Sequence, residues 1–147
     1  MSDSKDALKL WVVLARAFSA VEQHAAQHVA QHDLTLAEFG VLEALFHKGP
    51  MLLGEVQKKV LVSSGGVTYL VDRLAQRGLV RRRPSPSDRR ARYAELTEKG
   101  ETLIRQIFPE HAARIEQAVA ALSVTEQREA ARLLKELGIA AAQQAQA

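Results

Sequence analysis

Eight arginines stand between Arg73 and Arg92 with a single acid, Asp88, a local excess of +7 in a chain whose net charge is +3. The remaining residues therefore sum to −4. Guanidinium groups concentrated on one element suit one chemistry above others: they bind phosphate oxygens, and one carried at the tip of a turn can enter a nucleic-acid groove. A second group of side chains has metal-binding spacing. His24, His28 and His32 recur every four residues, so neighbours share a helix face and could chelate a divalent ion. His24 and His32 would lie ~12 Å apart along the helix, too far to share one ion. No Asp/Glu cluster in the sequence completes such a site, so a polar helix face and no metal are expected. No nucleophile–base pair, Gly-rich phosphate loop or paired carboxylates at a helical interval stand out, so neither catalytic residues nor a cofactor are expected. The chain has no cysteine, which excludes disulfides, thiolate metal sites and thiol redox sensing.

The arginines need a scaffold. Val67, Leu70, Val71 and Leu74 fall at helical spacing and predict one buried stripe. Ser63 suits the start of that helix as a cap, and Gly78 the left-handed residue that ends it. Two extended runs follow, 79–83 and 90–96, separated by Pro84-Ser85-Pro86-Ser87-Asp88, whose residues favour a turn. A helix followed by a two-stranded ribbon is the outline of a winged helix-turn-helix. With the stripe inward, Ser64, Gly65, Thr68, Tyr69 and, a turn later, Arg73 face outward, where a major groove would lie. The amides at Ser63 and Ser64 would also suit a phosphate. Arg81, Arg82 and Arg83 alternate along a strand, so at least one must point away from DNA.

Upstream, residues 5–31 predict a long helix with Leu8, Trp11, Val12, Ala15, Phe18 and Val21 on one face, and Trp11 with Phe18 reads as dimer core. Thr35 and Glu38 form a T-x-x-E capping box that opens a helix with Phe39, Leu42, Leu45 and Phe46 inward. Gly49-Pro50 ends it, Met51-Leu52 is a single extended step, and Gly54 to Val60 a short helix. After the wing, Thr97 caps a helix expected to run through Leu122, kinked at Pro109. Ser123 and Glu126 start a last helix, after which AAAQQAQA is expected to fray.

The stretch Asp88-Arg89-Arg90, then Ala91 to Glu95, then Leu96-Thr97 resembles the wing pattern D-x-R, five residues, L-T of the MarR family of bacterial transcription regulators. Val71-Asp72-Arg73-Leu74, Arg77-Gly78-Leu79-Val80, Leu34-Thr35 through Phe39, Val41-Leu42, Leu45 and Gly49-Pro50 fit as well, and the resemblance covers residues 8–137. It implies a homodimer joined through the terminal helices, and double-stranded DNA with a pseudo-palindromic operator as partner. In the wing it implies Arg90 in the minor groove, positioned by Asp88, with Arg89 and Arg92 flanking it; a narrow A·T-rich groove attracts arginine. Family members often bind small aromatic acids or phenols between the dimer helices and the winged lobe, and Trp11, Arg16 and His47 are the candidates here. Two positions depart from the family: Tyr69 stands where arginine is common, and Gly66 where a hydroxyl is common.

These readings give a mainly α fold: a winged helix-turn-helix with a two- to three-stranded wing and a helical dimerisation layer. Residues 1–147 form a single domain. Within it 33–97 is the lobe (helix-turn-helix about 53–77, wing 79–96), and 1–32 plus 98–147 are dimerisation helices. The N-terminus lacks a signal peptide, and no apolar run approaches the ~18 residues of a membrane span, so the protein is expected in the cytoplasm. The expected function is a sequence-specific DNA-binding regulator, a repressor released by a small molecule. Two alternatives are a winged-helix interaction module without DNA specificity, and a metal-responsive regulator using the His24/His28/His32 helix.

Overall fold

A computed structural model describes residues 4–60, 64–88 and 92–146. Among these residues, six helices and three short strands follow in the order α1 (Ser4–Ala30), α2 (Leu36–Lys48), β1 (Met51–Leu52), α3 (Leu53–Val60), α4 (Ser64–Gln76), β2 (Val80–Pro84), β3 (Arg92–Leu96), α5 (Glu98–Ala118) and α6 (Val124–Ala145). Among the described residues no helix is long and apolar enough to cross a membrane.

The local signals of the sequence set most of these boundaries. The Thr35 hydroxyl accepts from Glu38 N at 3.1 Å while Glu38 Oε1 accepts from Thr35 N at 2.8 Å, closing the capping box of α2. Ser123 and Glu126 repeat it at the start of α6, and the carboxyl of Glu126 is held below its ordinary pKa by the Ser123 backbone N–H and hydroxyl that it faces. Helix α4 ends at Gly78, whose φ of 75° is the left-handed conformation that costs a side chain most. There Leu79 N donates to Leu74 O at 3.0 Å, spending one of the otherwise unpaired helix-end carbonyls. The end of α1 uses the same device without glycine: Asp33 takes φ 58°, and Leu34 N reaches Val29 O at 3.1 Å.

The strands form one antiparallel sheet in the order β1-β3-β2, with Met51 opposite Ala94 and Arg82 opposite the same residue from the other side. The extended step at Met51-Leu52 is thus a third strand at the base of the wing. Val67, Leu70, Val71 and Leu74 of α4 all turn inward and join Phe39, Leu42, Leu45, Val56, Val80, Ile104 and Ile107 in one core. That core sits under α4 and the sheet and is closed from behind by α5.

Two expectations about the C-terminal region are corrected. Helix α5 stops at Ala118, with Val119 as its C-cap, so Leu122 lies in the turn before α6. The Ala/Gln-rich end does not fray after Ile139; it stays helical to Ala145, as the high helix propensity of alanine favours. Helix α6 has no buried residue, and Leu133, Leu134, Leu137 and Ile139 are exposed on it. The N-terminal two-thirds of α1 is as bare: Leu8, Trp11 and Phe18 each keep about 65% of their surface open.

Candidate nucleic-acid interface

Helix α4 presents Thr68 and Tyr69 on the face opposite its core stripe, both exposed, with Gly66 half-buried beside them. Ser64 and Gly65 open the helix, and Ser63, Arg89 and Arg90 lie outside the described residues. Asp88 is exposed at the last described position before the wing tip, and Arg92 is exposed where β3 leaves it. Ahead of Asp88, Ser85 is buried just after β2, and its Oγ accepts from Ser87 N at 3.3 Å. Among the described residues the candidate readers therefore sit on two adjoining elements, the front of α4 and the β2–β3 ribbon.

Several of the arginines have partners within the fold. Arg73 Nε donates to Glu38 Oε2 at 3.3 Å, and its Nη1 donates to the Tyr69 hydroxyl at 3.1 Å. The Tyr69 hydroxyl, with Glu38 behind it, raises the guanidinium above its ordinary pKa. Glu38 is buried, so its carboxylate serves two masters: one oxygen caps α2 and the other ties α2 to α4. Arg73, expected to face a groove, thus also fixes where Tyr69 points. Arg81 and Arg83, on one face of β2, both pair with Glu95 of β3, at 2.8 and 3.4 Å; Arg82, on the other face, pairs with Asp72 at 2.8 Å. Three carboxylates from outside the basic stretch, Glu38, Glu95 and Asp72, thereby lie against its arginines.

Arg77 has a role that the sequence did not show. Its guanidinium spans from the end of α4 to the end of α1, donating to Asp33 O at 2.6 Å and to His32 O at 3.4 Å. Its own carbonyl accepts from Lys99 Nζ at 3.0 Å. Beside it the first turn of α5 is fastened to the same joint: Thr97 Oγ1 donates to Gly78 O at 2.6 Å, and Thr97 N to Leu79 O at 3.1 Å. A cavity of about 1040 Å³ opens here, between the end of α4 and the start of α5, lined by His32, Asp33, Arg77, Lys99 and Gln106 among others.

The residues suggested for an effector do not converge. His47 borders a separate cavity of about 540 Å³ against Leu36, Gly40 and Val60, and stacks edge-on with Phe108. Trp11 and Arg16 are exposed on α1 and line neither this cavity nor the one beside Arg77.

The histidine helix also differs from expectation. His24 is exposed, but His28 is buried, and α5 brings an acid that the sequence spacing concealed. Glu110 Oε2 lies 3.4 Å from His28 Nε2 and 3.5 Å from His32 Nε2. His28 Nδ1 in turn meets His111 Nδ1 at 3.2 Å. Burial, reinforced by the positive charge His28 can carry, lowers the His111 pKa below its ordinary value. The reading of this face as polar surface without an acidic partner is therefore wrong for His28 and His32.

A helix pair with its second helix outward, followed by a short antiparallel wing, defines a winged helix-turn-helix protein. A family model described as MarR family matches residues 32–91. The chain is 42% identical over 140 residues to the HTH-type transcriptional regulator MhqR of Bacillus subtilis (strain 168), an alignment covering 95% of this chain and 97% of that protein. It is 41% identical over 133 residues to the regulator YkoM of the same organism, covering 90% and 86%. A mutant MarR from E.coli complexed with operator DNA has the same fold, with a TM-score of 0.83 at 22% identity, covering 93% of this chain and 99% of that one. Bordetella bronchiseptica BpsR, whose DNA binding is regulated by 6-hydroxynicotinic acid, matches with a TM-score of 0.79 at 28% identity, covering 88% and 92%. The chain belongs to the MarR family of winged helix-turn-helix regulators.

Proposed function

We propose that two copies of this chain bind one pseudo-palindromic stretch of double-stranded DNA and repress transcription, until a small aromatic or phenolic molecule releases them. The observation that carries this reading is a basic stretch on a winged helix-turn-helix lobe: eight arginines lie between Arg73 and Arg92, with Arg89, Arg90 and Arg92 around the β2–β3 connection in the sequence, and the exposed front of α4 adjoins that ribbon. Charge kept at the end of a ribbon suits a groove better than a protein surface.

The bare helices supply the second copy. A 22-residue helix with no buried side chain does not persist on propensity alone; its apolar face needs cover. The matching bare face of α1 lies at the other end of the same chain, so two chains can cover each other, gaining several kcal/mol at ~25 cal/mol per Å². In this reading 33–97 is the DNA-binding lobe, and 1–32 with 98–147 the shared layer. The cavity beside Arg77 and Lys99 is the effector site we favour, because two cations there suit a carboxylate or phenolate. The relatives are named as transcriptional regulators, which supports a non-catalytic protein working in the cytoplasm.

Selection of bound genomic fragments followed by titration at fixed salt tests the reading. Arg90→Ala should weaken binding on the order of 10²-fold for a dimer, at roughly 1–3 kcal/mol per subunit. Asp88→Ala should weaken it too, although deleting an acid beside phosphates would otherwise improve affinity. An Asp88→Ala protein that binds as tightly as the parent, or tighter, overturns the assigned wing mechanism.

A further inference from the structure

We propose that His28, His32 and Glu110 form a binding site for a divalent ion of the zinc class, bridging the end of α1 to α5. Three donor atoms, one from each residue, lie within 4.8 Å of one another. Two of the edges have lengths that decide between readings. His28 Nε2 and His32 Nε2 stand 3.4 and 3.5 Å from the same carboxylate oxygen. A charge-assisted N–H···O bond closes to about 2.7–2.9 Å, so both are long for hydrogen bonds. Bonds of about 2.0–2.1 Å arranged tetrahedrally around zinc put neighbouring ligand atoms about 3.3–3.4 Å apart, close to both observed edges.

The surroundings orient the donors as a metal site requires. His28 is buried, and its second nitrogen, Nδ1, faces His111 Nδ1 at 3.2 Å. The tautomer of His28 that donates from Nδ1 to His111 leaves the Nε2 lone pair for His32 and Glu110; a ligating histidine is fixed in this way by the partner of its other nitrogen. The His111 ring itself packs against Phe39, with centroids 4.4 Å apart and the rings tilted by 42°. Two imidazoles and a carboxylate favour zinc, cobalt or nickel over calcium or magnesium. The exposed side of Glu110 leaves a fourth position for water. His32 serves twice, with its ring in this cluster and its carbonyl accepting from Arg77, so a bound ion would stiffen the joint that holds the end of α4.

The full chain, stripped with a chelator and titrated with Co²⁺ alone, reports binding through the visible absorption of the coordinated ion; Zn²⁺ then displaces it. The parent should take up Co²⁺ saturably, with one ion per chain. His32→Ala and Glu110→Gln, both at accessible positions, should each weaken uptake at least about tenfold, while His24→Ala leaves it unchanged. Zn²⁺ should raise the melting temperature of the parent and not that of His32→Ala, which also checks that the variant folds. No saturable uptake by the parent, full affinity in Glu110→Gln, or an equal loss in His24→Ala would each overturn the proposal.

Discussion

Gly100→Ala sets two well-calibrated effects against each other inside α5. Helix propensity alone says that alanine stabilises a helix interior by about 1 kcal/mol over glycine. Sterics say the opposite. A Cβ at residue 100 would stand 2.9 Å from Leu79 C and closer still to Leu79 O, both backbone atoms. Even favourable C–H···O contacts keep about 3.3 Å, so the α4–β2 joint would have to move by roughly 1 Å or more. Overpacking of that kind typically costs about 1–3 kcal/mol, sometimes more. The Thr97 N–H bond to Leu79 O, at 3.1 Å, would loosen with it, adding about 1 kcal/mol. With the propensity gain of about 1 kcal/mol set against these costs, net destabilisation of about 1–3 kcal/mol follows, a sizeable part of the ~5–15 kcal/mol that holds a domain together. Urea unfolding of the full chain measures it, and thermal melting should fall on the order of 10 °C. Gly54→Ala is the control, since nothing lies within 4 Å of a Cβ there in α3, and it should gain from a few tenths to about 1 kcal/mol. If Gly100→Ala is as stable as the parent, the close approach of α5 to Leu79 is wrong and the coupling drawn from it fails.

Three further outcomes follow from the geometry. Thr35→Ala removes the hydroxyl that caps α2 and should cost about 1 kcal/mol by denaturant titration; unchanged stability would show the cap to be idle. Glu95→Gln releases Arg81 and Arg83 from their shared acid, so non-specific DNA affinity should rise and its salt dependence steepen by about one to two per chain; an unchanged slope would place both arginines away from DNA. Leu137→Asp puts a charge on the bare face of α6 and should shift micromolar protein toward monomer in sedimentation; an undisturbed dimer would locate the interface elsewhere.

What could be read from the sequence was whatever is decided within a turn or two of chain. Thr35–Glu38 and Ser123–Glu126 are three residues apart, and their capping boxes formed as read. The stripe on α4 and the left-handed Gly78 are equally local. The long-range partners were not legible. Glu38 was read for the oxygen it gives Thr35, and its other oxygen meets Arg73 across 35 residues. Arg77 finds its carbonyl 44 residues away, and Glu110 reaches His28 across 82. The carboxylate absent from the histidine helix was present in the chain all along; only the packing of α5 against α1 brings it there. The end of α6 departs from the expected fraying for a different reason: the high helix propensity of its alanines keeps it helical to Ala145.

The fastening of α5 has a mechanical consequence. A helix of 21 residues is about 30 Å long, and here its first turn is bolted to the reading end of the lobe through Thr97, Lys99 and Gly100. Such a rod is a lever with no slack at the load. A tilt of about 5° at its far end carries the bolted end through about 2–3 Å. In the proposed dimer two such levers set the spacing of the reading helices, which successive major grooves fix near 34 Å. A displacement of that size at each end takes the pair out of step with the DNA while leaving both lobes intact. Events among the outer helices would thus be read as distance, with no need for either lobe to change shape.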